Sequence, residues 1–488
     1  MLVSVKTLRN VLVLFFSNTA PSLVSLCALP VLTRLFQPDA VGQWAIFQSL
    51  LFIPGVLSTL RYELAVVVEK EDKDADVVTA LALIMAVLSC LAAGAVVLVC
   101  AGFSLIPIAG FGLLSLSCLA ASFGLVGLIN LGSAICIREA AFGTVLRARV
   151  FQAVMGVLPP IALSYWSRSS NVLIFGSTFG LLTGAIFFSP AVYGNIVHFL
   201  ADGNRRKRLG VSLIKNRAFA HFGLPYTVIT QAFGLSLTSL LAVSHGTFVL
   251  GQYSLMNRAL TAPAGVVINS FGQLTARPLA QYAEKRTAAA KPIFDLVLIL
   301  LAVSLPLATI ATIYGEEIFI FIFGTTWSMA GRFAEWAAIP MCLKLSVGWI
   351  DRLFDSWREQ RFGFFVGSIG CAVWLAAFVV AELISASPYV AVAGWCIGLA
   401  LSATVWGGAM IKLVGRPPLI VLPFLLVTVV GVVPIMLVHA VSSAAGSAYT
   451  DSATAAVTFA VFGTMLFLLR SFRCDLSLLM NERSGGRR

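Results

Sequence analysis

Apolar runs of about 20 residues recur along almost the whole chain, and they constrain its fold more than any other feature. A run of that length, coiled as an α-helix, crosses the roughly 30 Å of hydrocarbon in a bilayer. Because no water is present there, each backbone polar group must be satisfied within its own segment, as a helix does. The hydrophobic share of 59% and the charged share of 11% exclude an ordinary soluble domain. The sequence therefore predicts an all-α polytopic membrane protein.

Hydropathy predicts about fourteen transmembrane helices, arranged as two pseudo-symmetric six-helix lobes plus two C-terminal helices. The N-terminal lobe is predicted to cover residues 1–197 (spans 1–6), and a basic cytoplasmic linker to cover 198–217. The C-terminal lobe covers 218–415 (spans 7–12), and residues 416–488 hold the two extra spans and a cytoplasmic tail. The predicted spans are 11–35, 41–68, 77–101, 108–137, 148–166, 171–193, 218–243, 249–276, 292–314, 330–351, 362–385, 388–411, 418–439 and 453–470.

Lysine and arginine residues lie mainly in alternate loops, which indicates the orientation in the membrane. The positive-inside rule places both termini in the cytoplasm, with Arg34, Arg168 and Arg332 as the main exceptions. It also assigns Arg147 and Arg149 to a cytoplasmic loop. Because the net charge of +12 is spread over many loops, it indicates topology, and no nucleic acid is expected as a partner.

The nine cysteines and four histidines are dispersed, and no CxxC or CxxH spacing joins them. We therefore expect no metal site and no cofactor.

An internal repeat joins the two predicted halves. Val41–Gln48 aligns with Leu250–Asn257 at an offset of about 209, so that Gly42, Gln43 and Trp44 fall on Gly251, Gln252 and Tyr253. The same offset carries Pro54 onto Pro263. A shared Gly-Gln-aromatic pattern followed by proline predicts a duplicated helical unit.

Small and polar residues follow one face of the first helices of each half. Asn18, Ser22 and Ser25 align with Thr227, Gln231 and Gly234 at helical spacing. A longer stripe follows the eighth span: Arg258, Thr261, Gly265, Asn269 and Gln273. Matched stripes predict a central cavity between rocking halves, as in secondary transporters. Helix packing alone also uses small polar residues, and it is the alternative interpretation of any single stripe.

Two segments resemble a known family. Residues 29–42, with Leu60-Arg61-Tyr62-Glu63 after them, are similar to the opening of Wzx-type polysaccharide flippases of the multidrug/oligosaccharidyl-lipid/polysaccharide exporter superfamily. Residues 323–331 resemble a second family segment, in which members usually carry Phe-Gly, an acidic pair and Trp. This chain has Thr325-Thr326 in place of the acidic pair.

The resemblance implies a non-enzymatic transporter in a bacterial inner membrane. It would carry an undecaprenyl-pyrophosphate-linked oligosaccharide, the repeat unit of O-antigen, capsule or exopolysaccharide, by alternating access through a cationic cavity. It also implies membrane lipids, a polysaccharide polymerase and a chain-length regulator as partners, with Na⁺ or H⁺ as a coupling ion. No carboxylate is assigned to that coupling.

Arginine suits the substrate's pyrophosphate, because its planar guanidinium pairs bidentately with phosphate and stays charged when buried. Arg258 is the principal candidate, since an arginine inside a span costs about 3 kcal/mol and needs a reason. Arg61 can instead pair with Glu63, and Arg34 can serve as a gate or an interfacial anchor. The predicted substrate-binding set is completed by polar side chains: Asn18, Gln231, Thr261, Asn269 and Gln273.

Three other functions compete with this one. A lipid II flippase is hardly distinguished by sequence. An ion-coupled multidrug or small-molecule antiporter would carry carboxylates deep in the first or seventh span, where none stands. A polysaccharide polymerase would need a large outer loop, and no predicted outer loop exceeds about 20 residues.

Overall fold

A computed structural model of the chain describes residues 5–51, 55, 57–69, 71–103, 111–201, 205–215, 224–280, 282, 286–350, 353–354, 357 and 359–415. The regular structure of these residues is helical, with short 3₁₀ turns and no strand. The helices are α1 (Val5–Leu35), α2 (Pro38–Leu50), α3 (Tyr62–Val68), α4 (Asp72–Phe103), α5 (Leu113–Arg138), α6 (Phe142–Leu163), α7 (Ser170–Ala201), α8 (Arg205–Lys215), α9 (Leu224–Ala280), α10 (Ala290–Ile313), α11 (Gly315–Phe323), α12 (Ser328–Val347), α13 (Gln360–Ile384) and α14 (Pro388–Val414).

Seven helices within the described ranges are long and apolar enough to cross a membrane. The prediction of an all-α polytopic membrane protein is therefore confirmed. The fourteen-span layout and the lobe boundaries stay predictions, and the thirteenth and fourteenth spans lie outside the described residues. Helix α9 contains a non-helical residue, Gly246 (φ 80°, ψ 177°), where the sequence predicts the boundary between the seventh and eighth spans. Glycine takes this positive φ without steric penalty.

The chain forms two compact units, and the first comprises Met1–Val266 with Ile322–Trp327. In this unit α6 packs along α1 and α7, and α5 packs along α7. The α6–α7 contact is close because α7 presents small residues: a Cβ on Gly180 would lie 2.6 Å from the Gln152 carbonyl oxygen. A core cluster with Tyr62, Leu81 and Leu131 joins α3, α4, α5 and α7.

The second unit comprises Val267–Phe321 and Ser328–Arg488. In its described part, α14 packs against α12 and α13, and α10 packs against α12. Arg332 on α12 donates a 2.8 Å hydrogen bond to Glu316, and Glu335 accepts one of 2.9 Å from the backbone nitrogen of Glu316. The Nζ of Lys344 lies 4.7 Å from the ring centroid of Trp406.

The two copies of the repeated motif contact each other within the first unit. A Cβ on Gly42 would lie 1.9 Å from the carbonyl oxygen of Thr247, and a Cβ on Gly251 would lie 1.9 Å from that of Pro38. Thr247 stands at the same offset from Pro38 as Gly251 does from Gly42. This reciprocity is what a local two-fold relation between equivalent segments produces.

Candidate functional site

The first unit encloses a cavity of about 630 Å³, lined by α1, α2, α6, α7 and the part of α9 that follows Gly246. Its hydroxyl and amide side chains come from four helices of the predicted first half and one of the second. They are Ser22, Ser25, Gln48, Gln152, Ser177 and Thr261. The cavity therefore offers hydrogen-bonding groups inside a bundle of apolar helices.

Arg258 reaches this cavity and is held by a chain of contacts. Its guanidinium carbon lies 3.7 Å from the ring centroid of Trp44, and its Nε donates a 3.3 Å hydrogen bond to Ser254. The indole Nε1 of Trp44 donates to the Ser177 hydroxyl over 2.7 Å, and that hydroxyl donates to the Leu173 carbonyl over 3.0 Å. Stacking on a fixed aromatic ring orients a guanidinium and leaves its charge intact.

A second cavity arginine, Arg149, is missed by the sequence analysis. The charge pattern assigns it to a cytoplasmic loop, although the predicted span 148–166 contains it. Helix α6 begins at Phe142, so Arg149 lies two turns inside the helix and lines the cavity. A signal was present in the sequence. Gln152, Gly156 and Pro160 follow Arg149 at steps of three and four, and all four residues line the cavity.

Two of the predicted binding residues, Arg258 and Thr261, are brought together in the cavity lining. Arg61 and Arg34 are not among the described lining residues. Arg61 precedes α3 with a left-handed backbone (φ 68°), and its Nη1 lies 3.7 Å from Glu63. Arg34 is exposed at the end of α1 and donates to the Ile322 carbonyl over 3.5 Å.

The remaining predicted residues, Asn18, Gln231, Asn269 and Gln273, stand on α1 and α9. Their side chains lie outside the described part of the structure, so their roles stay predictions.

The two segments that carry the family resemblance meet in the first unit. Trp327 is fully buried and donates through its indole nitrogen to the Thr33 carbonyl over 2.9 Å. Gln252, from the repeated motif, donates to the Thr326 carbonyl over 2.7 Å. This hydrogen bond ties the second copy of the repeated motif to the Thr325-Thr326 pair.

The lining of the cavity has a definite chemical bias. Among the described lining residues are two arginines and neither aspartate nor glutamate. Guanidinium groups beside hydroxyl and amide groups match a ligand that carries phosphate and sugar hydroxyls. A cationic ligand finds no carboxylate among these described lining residues. The described residues also include no group of three or more His, Cys, Asp or Glu that could hold a metal ion.

Several solved structures have a fold similar to that of this chain. The chain resembles the lipid II flippase MurJ in an inward closed conformation, with TM-score 0.61, 13% identity, and coverage of 96% of this chain and 99% of that one. It also resembles an inward-facing multidrug resistance MATE family transporter of the MOP superfamily, with TM-score 0.53, 15% identity, and coverage of 85% and 96%. A MATE protein in a bent conformation gives TM-score 0.52 at 13% identity, with 84% and 95% covered.

The chain thus has the fold of these membrane transporters. Residues 31–331 match the family model described as polysaccharide biosynthesis protein, and the chain belongs to that family. No curated protein matches it. The family model confirms the link to polysaccharide biosynthesis that the sequence motifs suggest, the solved structures confirm the fold, and the Wzx type stays a prediction.

Proposed function

We propose that this protein is a flippase that moves an undecaprenyl-pyrophosphate-linked oligosaccharide from the inner to the outer leaflet of a bacterial inner membrane. The observation that carries the proposal is the cavity with Arg149 and Arg258 in its lining and no described carboxylate beside them. Membership of the polysaccharide biosynthesis family supports a saccharide-bearing substrate. Both termini then face the cytoplasm, and a polymerase with its chain-length regulator would take up the product.

The physical demand on such a protein is to carry a diphosphate through hydrocarbon. Arginine pairs with phosphate in a planar, bidentate geometry that a desolvated site strengthens. The seryl, threonyl and glutaminyl side chains that line the cavity replace water around the sugar hydroxyls. The polyprenyl chain stays in the bilayer, so the cavity needs to hold only the head group.

Lipid II is the competing substrate, because a protein named as its flippase shares this fold over 96% of the chain. Lipid II is also a polyprenyl pyrophosphate with sugars, so two arginines serve both substrates. An antiporter for cationic drugs is disfavoured by the lining, which pairs its arginines with hydroxyl and amide groups.

The proposal is tested by the affinity of purified protein for a short-chain polyprenyl pyrophosphate saccharide. Arg258→Ala and Arg149→Ala should each weaken binding about 10- to 100-fold, since a hydrogen bond to a charged group contributes about 1.5–3 kcal/mol. Arg258→Lys should restore part of the loss, because it keeps the charge without the fork. Arg147→Ala is the matched control, because Arg147 is an exposed residue on the same helix.

Equal affinities for the wild type, both cavity variants and the control would remove the arginines from the site. Tighter binding of lipid II than of the repeat-unit substrate would instead select the lipid II flippase.

A further inference from the structure

A short basic helix, α8, lies in the predicted linker between the halves, and neither the cavity nor the transport proposal uses it. It begins with four consecutive cations, Arg205-Arg206-Lys207-Arg208, and continues with Val211, Leu213 and Ile214. The sequence suggests only a charged linker at this place. The structure folds residues 205–215 into a helix that packs on α4 within the first unit.

One side of α8 is fixed to the protein. Ser212 is buried, and Leu209 packs against a cluster that contains Val77 and Phe199. At the end of the helix, Lys215 donates a 2.8 Å hydrogen bond to Glu69 and lies 3.7 Å from Asp74. The hydrogen bond to the Glu69 carboxylate raises the pKa of Lys215, which favours the charged form of its ammonium group.

The other side of α8 has exposed apolar side chains. Val211 is 59% exposed, Ile214 64% and Leu213 41%. Val211 and Ile214 are three positions apart, hence neighbours on one face, and that face points away from buried Ser212. Exposed apolar residues next to a run of cations are typical of helices that lie in a membrane interface.

The location of α8 relative to the spans fits that interface. Helix α4 begins at Asp72 and α5 ends at Arg138, and these residues form a 2.8 Å ion pair that marks where both spans leave the apolar zone. His198, near the end of α7, lies 3.9 Å from Asp76 at the same end of the bundle. Helix α8 follows α7 and packs on α4 at this charged end of the bundle, so we expect it at the headgroup level of the membrane.

Arg208 lines a small pocket with Glu69 and Asp74, so it belongs to the side of α8 that faces the protein. We propose that α8 binds the negatively charged phospholipid headgroups of that membrane, with the three cations before Arg208 on the phosphates and Val211 and Ile214 in the upper acyl region. Charge complementarity selects this occupant, because a cytoplasmic leaflet is anionic and attracts polybasic segments beside a span. The proposal rests on the cytoplasmic orientation of this end of the bundle in the proposed function, but it does not depend on which substrate the protein carries.

Hydrogen exchange of the full-length protein in lipid nanodiscs tests the proposal. The amides of residues 208–215 should exchange about tenfold more slowly in discs with one third phosphatidylglycerol than in pure phosphatidylcholine, since each cation contributes about fivefold near an anionic surface before screening. High salt should remove the difference. Equal exchange in the two lipids would overturn the proposal, and this comparison needs no variant.

Two variants separate charge from apolar contact. The triple change Arg205→Gln, Arg206→Gln, Lys207→Gln should abolish the dependence on phosphatidylglycerol, whereas Val211→Ser with Ile214→Ser should speed exchange in both lipids. Lys73→Gln is the matched control, an exposed lysine on α4 at the same end of the bundle, and it should leave the dependence intact. A triple variant that keeps full dependence on the anionic lipid would contradict the assignment to the basic turn.

Discussion

The reciprocal contact of Gly42 and Gly251 makes a sharp prediction about stability. Each glycine faces a main-chain carbonyl of the other segment, and an added Cβ would lie 1.9 Å from that oxygen. An ordinary van der Waals contact begins near 3.4 Å, so Gly42→Ala or Gly251→Ala forces the two helices about 1.5 Å apart. A backbone oxygen cannot rotate away as a side chain does, so the clash can be relieved only by moving the backbone of one segment.

The magnitude follows from overpacking. Inserting a methyl group into a closely packed contact costs about 1–3 kcal/mol, and more where backbone must move. Against this, alanine in a helix is favoured over glycine by about 1 kcal/mol. The net loss is therefore about 1–2 kcal/mol for each single variant, which lowers Tm by roughly 2 °C at a fixed scan rate, because the entropy of unfolding of a 488-residue chain is large. Gly94→Ala is the control, because its Cβ would meet nothing within 4 Å, and its Tm should stay or rise slightly.

The double variant Gly42→Ala, Gly251→Ala tests the reciprocity itself. Once the first methyl group has separated the segments, the second meets less resistance, so the combined loss should fall short of the sum by about 1 kcal/mol or more. Thermal unfolding of the purified protein in one detergent measures all four variants. Single variants as stable as Gly94→Ala, or a strictly additive double variant, would refute the close two-fold contact.

Three further predictions concern other contacts. Ser177→Ala should weaken binding of the lipid pyrophosphate about 3- to 10-fold in a binding titration, because Trp44 loses the hydroxyl that fixes its indole beneath Arg258. The control Thr183→Ala, which removes an exposed hydroxyl from the same helix, should leave binding unchanged. Trp327→Phe should lower the free energy of unfolding by about 1–3 kcal/mol, seen as a lower Tm, because the Thr33 carbonyl loses its buried donor; an unchanged Tm would contradict this. Lys215→Gln should speed hydrogen exchange of the α8 amides about two- to fivefold, because the variant loses an exposed ion pair with Glu69. Exchange at the wild-type rate would show that this ion pair does not stabilise the helix.

The sequence predicts the class of fold because apolar length alone dictates membrane helices. It also predicts that Arg258 faces a cavity, since a cation inside a span is costly and this one stands on a regular polar stripe. The repeated Gly-Gln-aromatic motif is visible in the sequence. The contact between its two copies is visible only in the tertiary structure. Nothing in residues 38–42 specifies that their contact lies at Thr247 and Gly251.

Arg149 shows where such prediction fails. The charges of Arg147 and Arg149 look alike in a sequence and both count as loop residues under the positive-inside rule. Only the start of α6 at Phe142 and its packing on α7 turn Arg149 into the cavity while Arg147 stays exposed. Arg61 shows the opposite case, because the local ion pair with Glu63, which the sequence offers as an alternative to substrate binding, is present in the structure.

Transport in proteoliposomes that contain only this protein tests the proposed function most directly. A short-chain polyprenyl pyrophosphate saccharide, labelled on its sugar, should move between leaflets with wild-type protein and with Arg147→Ala. It should move at least tenfold more slowly with Arg258→Ala or Arg149→Ala. Movement of a cationic dye without the lipid, or movement of the lipid at the wild-type rate in both cavity variants, would contradict a flippase that works through these two arginines.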